Sequence, residues 1–240
     1  MKGRLAEDPT WQAVVLIPKW KKDYCGIGLV DVMWKVVAEI LNRLLTASIT
    51  FHNFLHGVWA GRGTGTTTLE AKLLQQLAAL REEVLYVIFL DLHKAYDALE
   101  RSRCLKILEG YGMGPRTCRI LQTYWRRLTM VARAGGYCRA VFKGNRGVTQ
   151  GDTLSTTIYN VVVDAVVMHW VTVMVEGAEE RGKRRQEGRH QNAVFYADDV
   201  MVASSDPRWF HDAFSNLVGL LNRLGMWNNA KKTVGMVCCP

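Results

Sequence analysis

Three carboxylates in two places are the side chains best suited to do chemistry. Asp198 and Asp199 stand together in Phe195-Tyr196-Ala197-Asp198-Asp199, with apolar residues leading in (Ala193, Val194) and out (Val200, Met201, Val202, Ala203). That pattern reads as a β-hairpin with an aspartate pair at its tip. Asp91 closes a second apolar run, Val84 to Leu90, which reads as a buried central strand. A carboxylate there belongs at the edge of a site, because an unpartnered anion in the core is costly. Adjacent anions repel and call for a cation. Hard divalent ions such as Mg²⁺ take oxygen ligands and let substrate phosphates complete the shell. A solvated Asp-Asp turn explains the pair alone equally well. If the two strands are neighbours in one sheet, three carboxylates converge and could hold two metal ions about 3.5–4 Å apart. That arrangement clamps the attacking and leaving oxygens of a phosphoryl displacement. Such catalysis needs metal ligands, cations and a shaped pocket rather than a nucleophile.

The rest of the chain must position those groups. It has 240 residues, 49% hydrophobic and 22% charged, enough for a sizeable core in one or two domains. A net charge of +9 favours a polyanionic partner or serves solubility alone. The six cysteines show neither zinc spacing nor a disulfide framework, so a reducing, intracellular setting (cytoplasm or nucleus) is expected rather than secretion. The N-terminus lacks the apolar stretch of a signal peptide. The longest greasy run, Val161 to Val175, contains Asp164 and His169 and is too short to span a bilayer, so no membrane partner is expected.

Taken in order, Gln12 to Ile17 reads as a strand and Cys25 to Gly28 as a loop. From Val30 a helix follows with Met33, Trp34, Val37, Ile40, Leu41 and Leu44 on its buried face. His52 to Gly65 is Gly-rich, with Arg62 as a cation, and matches neither common phosphate-loop spacing. Thr67 and Glu70 form a capping box for a helix bearing Leu69, Leu73, Leu77 and Leu80. Asp97 and Glu100 form another. Pro115 opens a helix with Arg116, Arg119, Arg126 and Arg127 around Tyr124 and Trp125. A hairpin over Thr129–Phe142, turning at Gly135-Gly136, adds Arg133 and Arg139. Basic residues interleaved with aromatics suit a nucleic-acid surface, and a merely solvated basic face fits as well. The valine-rich run after Ile158 is read as helix on length, Glu176 to Gln191 as an exposed loop, and Asp206-Pro207 as a helix start. Asn228-Asn229 turns into a last strand, Thr233 to Val237.

With these pieces in view, the chain resembles a reverse transcriptase of the group II intron and non-LTR retroelement type over residues 12 to 237. Val14 to Lys19 is similar to the first finger motif, and Phe89 to Asp97 to the palm motif that supplies the first metal aspartate. Gly147 to Ser155 resembles the motif lining the nucleotide and template pocket, Phe195 to Asp199 the paired-aspartate motif, and Gly225 to Thr233 the motif whose lysine assists the leaving pyrophosphate. The resemblance implies an α+β architecture: a palm of antiparallel sheet backed by helices (87–104 and 148–240) and fingers (1–86 and 105–147), with no thumb before Pro240. It implies Asp91, Asp198, Asp199 and Lys232 as catalytic residues. Two Mg²⁺ ions, or Mn²⁺ in their place, would sit on Asp91, Asp198, Asp199 and the Leu92 carbonyl. Lys19 would reach the triphosphate, Gln150 and Gly151 would border the nucleotide, and Tyr96 would stand at the ribose gate, unless it is simply a core aromatic.

The implied reaction is RNA-directed DNA polymerisation, in which a primer 3′-hydroxyl attacks a dNTP on an RNA template. Partners are then the RNA template, the DNA primer and dNTP, with oligomeric state left open. Departures from the family pattern favour an alternative, a catalytically weak or inactive retroelement remnant that binds nucleic acid. Cys25 stands where a triphosphate-clamping arginine is usual, Trp59 where an arginine is common, and Thr153 and Thr156 where prolines are usual. A third reading, an RNA-dependent RNA polymerase or a palm-bearing cyclase, is opposed by Ala197 before the aspartate pair and by Tyr96.

Overall fold

Two apolar strands, one near each sheet's middle, organise the protein. The computed structural model describes residues 10–19, 23–57, 61–134, 137–180 and 191–240. In chain order the elements are β1 (Trp11–Lys19), β2 (Asp23–Leu29), α1 (Val32–Thr46), α2 (Thr64–Leu80), β3 (Leu85–His93), α3 (Ala95–Ala98), α4 (Arg101–Gly110), α5 (Pro115–Arg127), β4 (Thr129–Ala134), β5 (Tyr137–Lys143), α6 (Thr153–Glu180), β6 (Gln191–Tyr196), β7 (Asp199–Ser204), α7 (Pro207–Arg223), β8 (Trp227–Asn228) and β9 (Val234–Cys238). This is an α+β fold. It groups into two units, residues 1–50 with 99–161 and residues 51–98 with 162–240.

The first unit holds a four-stranded sheet in the order β2-β1-β4-β5, with β1 antiparallel to β2 and parallel to β4. Cys25 to Gly28, expected as a loop, is strand: Cys25 pairs with Ile17 and Gly28 with Val14. Glycines lower strand propensity, but tertiary packing overrides it here. A Cβ at Gly28 would lie 2.4 Å from Thr149 Cγ2, so the strand needs a residue without one. The β4–β5 hairpin forms as expected, and its Gly135-Gly136 turn lies outside the described residues. Helix α1 is capped by Asp31, whose side chain accepts from Met33 N at 2.8 Å. Its buried face is Trp34, Ala38, Leu41 and Leu45, while Met33, Ile40 and Leu44 are exposed, one step round from the expected stripe. Small Ala38 lets the helix pack closely on that side. In α5, Pro115 occupies the first turn, and Cys118, Leu121, Tyr124 and Trp125 are buried.

The second unit holds the sheet β6-β7-β3-β8, with β9 also on β3 and every pairing antiparallel. Leu74 and Ala78 of α2 pack on Leu85, Val87, Val194, Met201 and Ala203. The expected leucine stripe of α2 (Leu69, Leu73, Leu77, Leu80) is instead exposed. The cap of α2 is Gly63, with Thr66 bonded to its backbone, so the Thr67–Glu70 box is not formed. Nor is the Asp97–Glu100 box: the chain makes the short α3 and restarts at α4, where Glu100 gives no side-chain cap bond. Strand β3 is central but half-buried rather than enclosed. Leu85 and Val87 are buried on one face, Leu90 and Leu92 on the other, and Phe89 is exposed.

The valine-rich run is helix α6, 28 residues long, longer than its greasy stretch suggested. Its window Thr153–Met174 is apolar and long enough to cross a membrane, yet 67% of it is already buried in the protein. In the second unit its Trp170 donates from Nε1 to Ala213 O of α7 at 2.8 Å and meets Trp209 edge-on. The helix reaches Glu180, inside the expected loop, and residues 181–190 lie outside the described residues.

Candidate active site

The ladder between β3 and β7 brings the first two carboxylates together. In that register Val87 faces Ala203, Phe89 faces Met201 and Asp91 faces Asp199. Because side chains alternate along a strand, all six lie on one face of the sheet. The core on that face ends after Val87 and Met201, so the next pair outward is free to be charged. Direct cross-strand neighbours sit about 5 Å apart at Cβ, where like charges destabilise a sheet. Asp198 lies at the tip of the β6–β7 hairpin, as expected, on a turn whose first residue, Ala197, has φ +52°. Few residues with a Cβ take that conformation, so the turn is held by its surroundings.

A gap in the other ladder faces Asp91. Strand β9 pairs with residues 85–89 of β3 and β8 with residues 92–93. Opposite the gap runs the turn Asn229 to Thr233. Asn229 donates twice to Asp91, from its backbone N to the backbone O at 2.8 Å and from Nδ2 to Oδ2 at 2.8 Å. Lys232 Nζ lies 3.7 Å from Asp91 Oδ1, its side chain mostly in solvent. Thr233 closes the turn, donating to Asn228 Oδ1 at 2.6 Å. The Asn228 side chain of β8 therefore has a role as that acceptor.

Burial, then Asp198, then Asp91 push the Asp199 carboxyl above the ordinary carboxylate range, and Lys232 pulls it back. An anion held up by two acidic neighbours, as Asp199 is, is what a hard cation relieves, and the donors are all oxygens. The residues therefore fit a divalent ion. Among the described residues no three His, Cys, Asp or Glu side chains are grouped closely enough to hold a metal ion by themselves.

The remaining expected residues fall in both units. Leu92 is buried, paired with Asn228 in β8. Tyr96 is half-buried in α3, in the second unit with Asp91. Gln150 and Gly151 belong to the first unit. There Gln150 O accepts from Gly28 N at 2.9 Å, and Gly151 takes φ +111° with no room for a Cβ, Gly28 O being 2.8 Å from that point. The side chains of Lys19, Cys25, Arg133 and Arg139, and the whole of Trp59, lie outside the described residues. Arg116, Arg119, Arg126 and Arg127 are all exposed on α5, opposite its buried face.

A buried polar network anchors the pocket loop within the first unit. Thr149 donates to Gln12 Oε1 at 3.1 Å, and Gln12 donates to the Tyr124 hydroxyl. Trp34 stacks on Tyr124 and donates to Asp152 Oδ2 at 3.2 Å, while Asp152 Oδ1 accepts from Leu154 N to cap α6. Burial pushes the Asp152 carboxyl up, against the bonds from Trp34, Leu154 and Ser155. The folded state then holds this proton more tightly than the unfolded state. Stability from it is full below the ordinary value of 3.8 and is lost as pH rises through the folded value. Asp152→Asn is expected to remove part of the decline in Tm between about pH 4 and pH 7. Asp97 and Asp199, also held up, contribute in the same direction. An unchanged slope in thermal melts across that range would refute this.

Sequence reading missed Asn229, His56, Gly57 and Arg101. Asn229 carried the signal of a turn but not of its partner. His56 bonds Glu70 fourteen positions on, a spacing no helix or strand period reveals.

Residues 17–238 match the reverse transcriptase (RNA-dependent DNA polymerase) family. The chain is 24% identical over 256 residues to the retrovirus-related Pol polyprotein from type-1 retrotransposable element R2 of Popillia japonica, covering 100% of this chain and 35% of that protein. It is 27% identical over 217 residues to the corresponding R2 protein of Nasonia vitripennis, covering 85% and 20%. The chain thus spans about a third or less of the length of these relatives. Among solved structures it is similar to an apo telomerase from Candida tropicalis truncated from its C-terminal domain, with TM-score 0.69 and 16% identity over 95% of this chain and 50% of that one. It is also similar to Candida albicans telomerase in complex with a TWJ fragment of telomeric RNA, with TM-score 0.67 and 14% identity over 98% and 43%. At those identities the likeness speaks for the fold, palm and fingers, alone. The family match takes in every candidate site residue from Lys19 to Lys232, and the chain therefore belongs to the reverse transcriptase (RNA-dependent DNA polymerase) family.

Proposed function

We propose that this chain carries the nucleotidyl-transfer site of a retroelement reverse transcriptase, adding dNTP to a DNA primer on an RNA template. The observation that carries the reading is the β3–β7 register, which faces Asp91 with Asp199 beside the Asp198 turn. Asp91, Asp198 and Asp199, with the Leu92 carbonyl, would hold two Mg²⁺ ions, or Mn²⁺ in their place. Bound there, the ions would supply charge neutralisation to the attacking and leaving oxygens. Asn229 orients the Asp91 carboxyl. Lys232, charged and largely in solvent, is placed to hold a proton for the leaving pyrophosphate. Gln150 and Gly151 present a backbone fixed by Gly28, and Lys19 would reach the triphosphate. The exposed arginines of α5, with Arg133 and Arg139, offer phosphate contacts to template and primer.

The proposed palm, 87–104 and 148–240, contains β6 to β9 and all but the first two residues of β3. The proposed fingers, 1–86 and 105–147, contain β1, β2, β4 and β5. Free Cys104 and Cys118, both buried, suit the reducing interior of a cell.

Primer extension on an RNA template tests the reading, with Mg²⁺ against chelator and dNTP against rNTP. Metal-dependent incorporation of dNTP supports it. Retained primer–template binding with no incorporation would leave the alternative, a nucleic-acid-binding remnant. Tyr96→Ala is expected to raise rNTP use relative to dNTP, since an aromatic ring beside the ribose excludes a 2′-hydroxyl sterically. An unchanged ratio would make Tyr96 a packing residue.

A further inference from the structure

We propose that residues His52 to Gly57 form a strap, locked by the pairing of the buried His56 with the half-buried Glu70, that sets the position of the turn carrying Asp198. His56 is then a positioning residue. The inference rests on the reading of Asp198 as part of the polymerising site.

Strand β6 is the edge of its sheet, and an edge strand has one row of backbone groups without a partner strand. The strap takes part of that row. Leu55 forms a parallel bridge with Phe195, Phe195 N donates to Phe54 O at 2.8 Å, and His56 N donates to Phe195 O at 2.8 Å. Gly57 then runs against the turn itself. A Cβ there would stand 2.8 Å from Ala197 N, so the two backbones are in direct contact. Ala197 is the residue with φ +52°, and Asp198 follows it.

The strap is fastened along its length. Upstream, His52 N donates to Asp164 Oδ1 at 2.7 Å, and Asp164 is 2% exposed on α6. Arg62 donates to the carbonyls of Asn53 and Leu55. Downstream, the His56 ring is 7% exposed, with Nε2 2.9 Å from Glu70 Oε2 and Nδ1 3.2 Å from Thr66 Oγ1, both on α2. None of these side chains is among the candidate ligands. They act through the backbone of Phe195 and Ala197. Loosening the strap releases the edge of β6 and lets the strained turn relax, which moves the Asp198 carboxyl without unfolding the sheet. Groups that orient metal ligands in this indirect way typically affect metal affinity or activity by about tenfold to a hundredfold.

The test compares the parent with His56→Leu, His56→Gln and Gly57→Ala. Amide hydrogen exchange in the metal-free protein reads the turn directly. Exchange at Ala197 to Asp199 is expected to quicken by about tenfold or more in His56→Leu and Gly57→Ala, with the β3–β7 ladder unchanged. Mn²⁺ binding followed by electron paramagnetic resonance should weaken in the same variants. The Mg²⁺ concentration for half-maximal incorporation should rise while the KM for dNTP stays within about twofold. His56→Gln, whose amide can still reach Glu70, should recover part of each effect. Unchanged exchange at 197–199 in both His56→Leu and Gly57→Ala overturns the strap, as does quickening spread evenly over the sheet. A parent that neither binds Mn²⁺ nor incorporates dNTP overturns the site reading instead, and the exchange result still decides the strap.

Discussion

Asp198→Asn is expected to lower nucleotide incorporation by about a thousandfold while leaving the fold intact. Charge stabilisation by a clamped metal is worth several kcal/mol in the transition state, and about 4 kcal/mol is a thousandfold in rate. Asn offers one neutral carbonyl oxygen and no anionic one. The same change should not harm, and should slightly help, the metal-free protein. Asp199 is held up by burial, by Asp198 and by Asp91, so its ionisation at neutral pH costs the folded state. A carboxylate whose folded value is raised gives full stability at low pH and loses it as pH rises. Removing Asp198 takes away one source of that loss. Single-turnover incorporation and thermal melts with chelator present check both halves. Incorporation at the parent rate would remove Asp198 from the site, and a lower Tm without metal would show that Asp198 has a structural bond unrelated to repulsion.

The second large effect is on stability. Arg101, at the start of α4, donates to Gly147 O at 2.8 Å, to Trp125 O at 3.1 Å and to Gly144 O, with its guanidinium 5.5 Å above the Trp125 ring. One planar cation therefore gathers the end of α5 and the loop that leads into the Gly147–Ser155 pocket motif. Burial lowers its pKa to about 10, so it stays charged at any working pH and no pH dependence is expected below that value. Arg101→Met fills much of the space but leaves three carbonyls without their donor. At about 1–3 kcal/mol for each unsatisfied group, partly offset by water, the net loss should be about 3–5 kcal/mol. For a chain of this size that is a fall in Tm of about 6–20 °C. Arg101→Lys should fall between, because an ammonium lacks the fork that reaches several carbonyls at once. A loss in Arg101→Met below about 1 kcal/mol in denaturant titration would show that the loop is held by its backbone alone.

Sequence reading reached the sheet and the carboxylates because strand alternation and chain punctuation are local signals. The Phe195–Asp199 hairpin, the Pro115 and Asp206-Pro207 helix starts and the long α6 all follow from residues a few positions apart. What it missed depends on distant partners. Gly26 and Gly28 read as loop because glycine weakens a strand, yet Gly28 is required where Thr149 packs against its backbone. The stripe with the largest apolar residues was assigned to the core in α1 and α2, whereas the buried faces use Ala38 and Ala78, where small side chains permit close approach. Glu70 read as half of a capping box because its spacing from Thr67 fits one. Its carboxylate is instead spent on His56, which only the folded chain brings near. Within the site, Asp91 and Asp198 were expected as the converging pair, and the strand register puts Asp199 directly opposite Asp91. Register across a sheet is a long-range property that alternation alone does not set.

The ladder around β3 has a consequence for how the protein is made. Strand β3 is synthesised early, but both of its neighbours come from much later in the chain, residues 199–204 on one side and 227–238 on the other. Contacts between such distant segments form slowly, because long loops must close before the pairing repays the lost entropy. Until then Leu85 to Leu90 is an apolar strand with two open edges, the kind of segment that pairs with other chains. During that interval Asp91 is the one acidic residue in its strand, which holds no Lys or Arg. Its carboxylate thus lies beside an apolar run prone to associate, where a charge discourages stacking of like strands. The residue proposed to hold the metal in the finished enzyme would, earlier in the life of the same molecule, serve as its own gatekeeper against aggregation.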